Sequence, residues 1–211
     1  MEIQWHGYSC FSVKTKGGLA VVDPYKSDVG FKLPDLKADV VVQTNEDSKM
    51  NDLKAVKGEP RIFTWPGEYE VCEIAITMQP LAAAEKGKAT PMLVSLNADN
   101  IRICYVTDLS VALTDELVES IGNVDILMVP ASKEKGGFDK VHEAIEEIEP
   151  RIVIPIYYQT PGLKVELDDV APFLKKAGIT TPTSKDKFVV NSKSDLPQEK
   201  TEFVVLEPQV G

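Results

Sequence analysis

Histidine is scarce in this chain of 211 residues, which contains only His6 and His142. Zinc in proteins is held by Cys, His, Asp and Glu side chains, and a histidine-rich dinuclear centre needs more than two imidazoles. The sequence therefore excludes a histidine-built dinuclear zinc site. It also supports no catalytic triad, because neither histidine has a Ser or Cys partner that the sequence can place beside it. We expect His6 to be a packed or surface residue beside Trp5, and His142 to face solvent on a helix.

Cysteine is also infrequent, and Cys10, Cys72 and Cys104 lie in apolar segments typical of strands. An odd number of cysteines in such segments indicates reduced, buried thiols rather than disulfides or a zinc knuckle. No apolar run is long enough to span a membrane, and no charged segment followed by an apolar core opens the chain. We therefore expect a cytoplasmic protein that has no membrane partner.

Basic residues are outnumbered, with 23 Lys and Arg against 33 Asp and Glu, which gives a net charge of −10 at pH 7. Proteins that bind a phosphate backbone present basic stripes, so this balance argues against a nucleic-acid partner. Solubility alone explains the acidity. With 43% hydrophobic residues, the chain is long enough to bury a substantial core, and we expect one domain over residues 1–211.

Short apolar and alternating runs predict a first half that is rich in strands. We expect strands at 3–5, 10–15, 19–22, 40–43, 61–64, 69–72, 74–78, 92–96 and 101–106. The tripeptide Lys16-Gly17-Gly18 is typical of a hairpin turn between the second and third strands. Residues 81–90 form a connector of Ala, Lys and Gly to which no regular element is assigned.

In the second half, helical and strand patterns alternate. Thr114 is a helix cap, and Asp139 is expected to cap a longer amphipathic helix that Pro150 ends. A further helix is predicted at 167–177, with strands at 126–129, 152–156 and 201–206. Strands followed by alternating strands and helices indicate an α/β sandwich of sheets flanked by helices.

Ordered segments along the chain carry a family resemblance: 7–11 (GYSCF) before Asp23-Pro24, 66–71 (PGEYEV), 105–109 (YVTDL) and 152–158 (IVIPIYY). In this order they resemble the small metallo-β-lactamase-fold hydrolases related to L-ascorbate-6-phosphate lactonase, over nearly the whole chain. The resemblance implies an αββα sandwich with two mixed β-sheets, helices outside and the 45–50 loop at one edge. It also implies a site at which the family binds zinc and activates water.

The resemblance assigns the positions at which the family holds its metals. The family's loop reads Thr-His-x-His-x-Asp-His after the strand at 40–43, and its last ligand follows the strand at 152–156. In this chain the ligand positions carry Asn45, Asp47, Lys49, Met50, Asp108 and Tyr157, of which Asp108 alone is the family's own ligand. The third histidine of the family falls near 81–84, where Ala82, Ala83 and Ala84 have no donor atom.

These replacements do not suit zinc. Asn45 offers a neutral amide oxygen, Lys49 carries an ammonium, and Met50 is a thioether better suited to copper. Tyr157 is a phenol with an ordinary pKa of about 10, so it is a poor ligand at neutral pH. We therefore expect no catalytic residue, no zinc and no other cofactor.

Two interpretations of Asp108 remain open. It either holds a weak Mg²⁺ or Ca²⁺ together with Asp47 and Asn45, or it caps a turn at a strand end by accepting backbone hydrogen bonds. Lys49 is expected to pair with Asp108 or Asp47, because one ammonium relieves the repulsion that lost cations leave behind.

A ligand cleft without metal chemistry is the remaining candidate site. Its expected lining residues are Tyr8, Glu68, Asp108, Tyr157 and Tyr158. The aromatic members, together with Trp65, are expected to rim the former metal pocket, where they could stack a ligand. Filling of a vacated metal cavity explains the same aromatic residues.

The leading hypothesis is a catalytically inactive, zinc-free protein of this fold that acts as a binding, scaffold or oligomer-subunit protein. Its expected partner is a second copy of itself or an intact paralogue. One alternative is a lactone or phosphodiester hydrolase that uses a hard cation on Asp47 and Asp108. The other is a small-molecule sensor that uses the old cleft, and fold analogy alone does not choose among them.

Overall fold

Two mixed β-sheets flanked by α-helices form the sandwich that the sequence predicts. The structure, a computed structural model, describes residues 1–44, 52–82, 90–180, 182 and 184–211. In chain order the strands are β1 (Glu2–Trp5), β2 (Phe11–Lys14), β3 (Leu19–Val22), β4 (Val40–Val42), β5 (Arg61–Phe63), β6 (Gly67–Val71), β7 (Ile74–Pro80), β8 (Met92–Ala98), β9 (Ile101–Val106), β10 (Ile126–Pro130), β11 (Ile152–Ile156), β12 (Ser184–Lys185), β13 (Phe188–Val189), β14 (Glu202–Phe203) and β15 (Val205–Leu206). The α-helices are α1 (Asp115–Ile121), α2 (Gly137–Ile148) and α3 (Val170–Lys176).

The first sheet has the strand order β13-β1-β2-β3-β4-β5. The strands from β13 to β3 pair antiparallel, and β4 and β5 continue parallel to β3. The carboxyl ends of β3, β4 and β5 therefore meet at one edge, where Asp23 follows β3 and Thr44 lies just beyond β4. A loop also starts at this edge, and its residues 45–51 lie outside the described part of the chain.

The second sheet has the strand order β14-β11-β10-β9-β8-β7-β6. Strands β14, β11, β10 and β9 are parallel neighbours, whereas β9, β8, β7 and β6 form an antiparallel meander. At the carboxyl edge of the parallel part, Asp108 follows β9, Lys135 lies in the turn after β10 and Tyr157 follows β11. A separate small sheet pairs β12 with β15.

Continuous burial explains the composition of the central parallel strands. Strands β10 (ILMVP) and β11 (IVIPI) are buried along their whole length, as parallel strands covered on both faces are. Full burial of one such aliphatic side chain contributes roughly 1.5–3 kcal/mol. The apolar runs that predicted these strands therefore also hold the centre of the sheet in place.

Side-chain caps set where α1 and α3 begin. The Thr114 hydroxyl accepts a hydrogen bond from the Leu117 N–H at 3.3 Å, and the helix predicted after Thr114 is confirmed. The Asp169 carboxylate accepts from the Ala171 N–H at 2.9 Å, so α3 starts at Val170 rather than at 167. The predicted boundary was too early because the cap, not the apolar pattern, decides the first turn.

Two other boundaries also differ from prediction. Helix α2 starts at Gly137, and Asp139, predicted as its cap, lies in the first turn and forms an ion pair with Lys176 of α3. The strand predicted at 201–206 is divided between β14 and β15, which pair in different sheets. Over the described ranges, no helix is both long and apolar enough to cross a bilayer.

Two predictions about exposure are wrong. His142 is buried, because its ring packs 4.8 Å from that of Phe173 and its Nε2 lies 3.0 Å from the Phe173 carbonyl oxygen. Helix α3 covers this side of α2, which no local pattern indicated. Cys72 is exposed, because it lies in the tight turn between β6 and β7 with a left-handed φ of 52°. The other residues expected to be packed are buried: His6, Cys10 and Cys104.

A buried carboxylate, that of Asp23, joins the two sheets at the edge where β3 and β4 end. The Thr44 N–H donates to its Oδ1 and the Thr44 hydroxyl donates to its Oδ2, both at 2.7 Å. The Tyr105 hydroxyl, on β9 of the second sheet, donates to Oδ2 at 3.2 Å. One side chain therefore anchors the base of the loop that follows Thr44.

Burial dominates the charge state of Asp23. It raises the pKa of the carboxyl from 3.8 to about 6, although hydrogen bonds from Thr44 and Tyr105 and the charge of Lys135 lower it. A carboxyl whose pKa rises on folding contributes its full stability below the unfolded pKa. That contribution is lost as the pH rises through about 6.

The substitution Asp23→Asn is expected to remove this pH dependence, because Asn keeps an acceptor for the Thr44 N–H and cannot ionise. Between about pH 4 and about pH 7.5, the unfolding free energy of the wild type should fall by up to about 3 kcal/mol more than that of the variant. Urea denaturation at several pH values measures both slopes. Asp39→Asn is the control, since the exposed Asp39 carboxylate also accepts a backbone hydrogen bond, from Leu19 at 2.9 Å. Equal slopes in the wild type and Asp23→Asn would contradict the assignment.

Candidate functional site

The candidate site lies at the carboxyl ends of the parallel strands of the second sheet. Asp108 follows β9, Glu134 and Lys135 lie in the turn after β10, and Tyr157 follows β11. Tyr8, in the turn between β1 and β2, reaches them from the first sheet. The Tyr157 N–H donates to the Tyr8 carbonyl oxygen at 3.0 Å, so the backbones of the two sheets are joined at the site.

Left-handed backbone marks both tyrosines. The φ angle is 51° at Tyr8 and 56° at Tyr157, a conformation that costs non-glycine residues on the order of 1 kcal/mol or more. The Trp5 indole N–H holds the Tyr8 carbonyl oxygen as well, at 3.1 Å. Strained residues held by their surroundings occur preferentially at functional sites, and here they aim two phenols at each other.

A chain of hydrogen bonds connects the phenols to a carboxylate. The Tyr157 hydroxyl donates to Glu134 Oε1 at 2.6 Å, and its oxygen lies 3.2 Å from the Tyr8 hydroxyl. The two rings pack with centroids 4.7 Å apart. Burial, followed by the hydrogen bond to Glu134, raises the pKa of Tyr157. At neutral pH this phenol is therefore a protonated donor.

The Asp108 carboxylate is engaged by an ammonium and a backbone N–H. Lys135 Nζ lies 3.5 Å from Asp108 Oδ2, and the Ser110 N–H donates to Oδ1 at 2.8 Å. The second contact is the turn-capping bond that one interpretation of Asp108 expects. Lys135 Nζ also lies 5.3 Å from the centroid of the Tyr157 ring, within the range of a cation–π contact.

The structure does not bring all of the predicted cleft residues together. The Tyr158 ring packs 4.6 Å from that of Trp5, and its hydroxyl donates to the Leu206 carbonyl oxygen at 3.1 Å, within the core. Glu68 is exposed on β6, five strands from β11 in the strand order, which corresponds to roughly 24 Å. Trp65 is 73% exposed in the loop before β6. Of the proposed lining, Tyr8, Asp108 and Tyr157 belong to one cluster.

Other predicted positions lie outside the described residues: Asn45, Asp47, Lys49, Met50, Ala83 and Ala84. The pairing of Lys49 with Asp108 or Asp47 therefore stays a prediction. Within the described ranges, the ammonium beside Asp108 is that of Lys135.

Sequence reasoning missed the two charged residues after β10, Glu134 and Lys135, and the anchoring role of Asp23. A signal for the first two was present, because loops at the carboxyl ends of parallel strands carry the site in open α/β sheets. The polar turn between β10 and the glycine pair at Gly136 and Gly137 is such a loop. Nothing local indicated that Asp23 would meet a side chain of the other sheet.

The described side chains do not fit a zinc centre. Asp108 is paired with an ammonium, and Tyr157 is a protonated phenol that donates its hydrogen. His6 bonds through Nε2 to the Ser12 hydroxyl at 2.8 Å and through Nδ1 to the Gln209 carbonyl oxygen at 3.0 Å, away from this cluster. No group of three or more His, Cys, Asp or Glu side chains in the described part of the chain is arranged to hold a metal ion.

Sequence comparison connects the chain to a superfamily and to two relatives, one of which is described as a metal-dependent hydrolase. The profile of the β-lactamase superfamily domain matches residues 2–157. A UPF0173 protein of Pyrococcus abyssi is 25% identical over 185 residues, covering 77% of this chain and 85% of its own. A UPF0173 metal-dependent hydrolase of Thermoplasma acidophilum is 25% identical over 194 residues, covering 76% of this chain and 84% of its own.

Solved structures share the fold. A Thermotoga maritima protein, assigned to the Zn-dependent hydrolases of the metallo-β-lactamase superfamily, aligns over 97% of both chains with a TM-score of 0.80 and 26% identity. A metallo hydrolase of Ignicoccus hospitalis aligns over 90% of this chain and 98% of its own, with a TM-score of 0.62 and 15% identity. With its two mixed sheets and the profile match over residues 2–157, the chain belongs to the β-lactamase superfamily and has the metallo-β-lactamase fold.

Proposed function

We propose that this chain is a zinc-free member of its superfamily that performs no metal-dependent hydrolysis and acts as a binding or subunit protein. One observation carries the proposal: the Lys135 ammonium lies 3.5 Å from Asp108, the one carboxylate that matches a family metal ligand. A positive charge that belongs to the protein itself thus stands beside that carboxylate, whereas hydrolysis in metal sites depends on a metal-bound water.

The charge balance at Asp108 supports the proposal. Opposite unit charges about 4 Å apart attract by on the order of 4 kcal/mol at an effective dielectric constant near 20, before desolvation is counted. A divalent ion at Asp108 would have to displace the Lys135 ammonium or face it as a like charge at short range. Either event weakens binding of the ion.

The Tyr157 phenol supports it independently. A phenol becomes a strong metal ligand only when it loses its proton, and burial and the Glu134 carboxylate both raise the pKa of this one. The Tyr157 hydroxyl therefore forms hydrogen bonds with Glu134 and Tyr8 rather than binding a cation.

The names of relatives favour a second candidate function, that of a metal-dependent hydrolase, as the Thermoplasma acidophilum relative is described. In this chain such an enzyme would use a hard cation on Asp47 and Asp108, with lactones or phosphodiesters as substrates. It would need Asp108 to be free of Lys135 when the cation binds.

Metal analysis and activity assays distinguish the two functions. After dialysis against Zn²⁺, Mn²⁺ or Mg²⁺, we expect the wild type to retain well below one equivalent of metal by mass spectrometry, because its donors do not fit. We also expect no metal-stimulated turnover of lactones, phosphodiesters or β-lactams.

The Thermotoga maritima relative, treated identically, is the comparison for metal retention. Asp108→Ala tests any activity that is found, and Asp168→Ala is its control, since Asp168 pairs with Lys133 at 3.4 Å in the same region. Stoichiometric metal together with turnover that Asp108→Ala abolishes and Asp168→Ala preserves would establish the hydrolase instead.

A binding role also requires a surface for a partner, which we propose to be a second copy or an intact paralogue. Trp65 is 73% exposed between β5 and β6, each the last strand in the order of its sheet. The Tyr69 hydroxyl donates to the Trp65 carbonyl oxygen at 3.0 Å, and Ile62 on β5 is 45% exposed. Open strand edges offer unpaired backbone groups, and aromatic residues are enriched at interfaces.

Loss of the Trp65 side chain is expected to weaken self-association. Light scattering coupled to size-exclusion chromatography should show an oligomer of the wild type, with an association constant at least about tenfold lower for Trp65→Ser, since buried Trp anchors dominate interfaces. Val210→Ser is the matched control, because Val210 is a 41% exposed apolar residue in the C-terminal segment. A wild type that stays monomeric at all concentrations would rule out the second copy as partner.

A further inference from the structure

We propose that Lys135 is the resident cation of the candidate site: its ammonium neutralises Asp108 in place of a divalent ion and keeps such ions from binding there. The inference rests on the proposed zinc-free function and assigns to one residue the exclusion of hard divalent cations. The described side chains do not fit the metal centre of the family. The Lys135 ammonium accounts for this, because it supplies the positive charge that a metal ion would supply.

The contacts of the Lys135 ammonium are those of a fixed counter-ion. It lies between the Asp108 carboxylate, 3.5 Å from Oδ2, and the face of Tyr157, 5.3 Å from the ring centroid. Only 22% of its side chain and 19% of that of Asp108 are exposed. A partly desolvated ion pair combined with a cation–π contact is stronger than an isolated surface pair.

The backbone holds Lys135 in this position. It ends the 3-10 turn Lys133–Lys135, and its carbonyl oxygen accepts a hydrogen bond from the Leu109 N–H at 3.0 Å, one residue after Asp108. Gly136, next in the chain, has φ of 108°, and a Cβ there would lie 2.3 Å from the Leu109 carbonyl carbon. The turn after β10 is therefore packed closely against the segment that carries Asp108.

Without the ammonium, oxygen donors remain that suit a hard cation. Mg²⁺ is commonly bound through one or two carboxylates while it keeps several waters, and Mn²⁺ prefers similar oxygen ligands. Asp108 and Glu134 are the carboxylates of the cluster, and Glu134 Oε1 accepts the hydrogen bond from the Tyr157 hydroxyl. Loss of the positive charge at residue 135 should therefore create a weak, mostly water-ligated site.

The test is Mn²⁺ binding by isothermal titration calorimetry to the wild type, Lys135→Met, and the double variant Asp108→Asn/Lys135→Met. We expect Lys135→Met to bind Mn²⁺ at least about tenfold more tightly than the wild type, since it has lost a like charge beside the ligand. The double variant should bind no more tightly than the wild type. Lys133→Met is the matched control, because Lys133 lies in the same turn but pairs with Asp168, and it should behave as the wild type does.

A double-mutant cycle gives a second readout that needs no metal. In urea denaturation without added ions, Lys135→Met and Asp108→Asn should each lower the folding equilibrium constant. In the double variant this constant should be about tenfold higher than the two single effects would give if they were independent. Lys135→Gln replaces Lys135→Met if the apolar side chain of methionine prevents folding.

The outcomes separate this inference from the proposed function. If neither the wild type nor the Lys135 variants bind Mn²⁺, the inference is wrong while the zinc-free function stands. If the wild type binds Mn²⁺ as tightly as Lys135→Met does, the inference is wrong, and the proposed function fails with it when metal-stimulated turnover that Asp108→Ala abolishes accompanies the binding. Additive single variants in the cycle would also overturn the role of Lys135 as the counter-ion of Asp108.

Discussion

Hydrogen bonds from Thr44 and Tyr105 to the buried Asp23 carboxylate join the ends of β3 and β4 to β9 in the opposite sheet. The carboxylate is buried where the two sheets meet, and a buried carboxylate is costly unless it accepts hydrogen bonds such as these. That requirement aligns the carboxyl edges of the two sheets, and the candidate site lies along them. Because burial raises the pKa of Asp23 to about 6, the same contact connects the stability of this edge to pH.

Once those edges are aligned, topology brings the residues of the candidate site together. Strands β9, β10 and β11 are parallel neighbours, so the residues just beyond them, Asp108, Lys135 and Tyr157, meet at one edge although they are far apart in sequence. In this group one ammonium lies between a carboxylate and an aromatic face. The phenols of Tyr8 and Tyr157 and the Glu134 carboxylate extend it as a hydrogen-bonded chain.

In this chain the metallo-β-lactamase fold holds a lysine, rather than a metal ion, as the positive charge beside Asp108. A cluster of carboxylates needs positive charge nearby, and either metal ions or a basic side chain can supply it. A lysine supplies one charge at a fixed distance and no open coordination position for water, which metal-assisted hydrolysis requires. That difference is the physical basis for the proposed binding role. Substitutions at Lys135 therefore test the proposal, whereas the fold alone does not distinguish the two functions.

Much of the fold followed from local pattern. Apolar runs predicted the central strands and the helix capped at Thr114, because burial and side-chain caps act over a few residues. The ordered segments around Tyr8, Asp108 and Tyr157 indicated the superfamily and named three members of the cluster. Tyr158 packs into the core against Trp5, and its hydroxyl donates to the Leu206 carbonyl oxygen, so contacts with distant elements decide the direction of this side chain.

The sequence by itself determined that a histidine-built dinuclear zinc site is excluded, since the chain has only two histidines. Only the tertiary structure decided what stands beside Asp108. The contact between Lys135 and Asp108 joins turns after different strands, and the burial of His142 depends on α3. Such contacts are set by how parallel strands stack and which helix covers which, and no window of neighbouring residues contains that information.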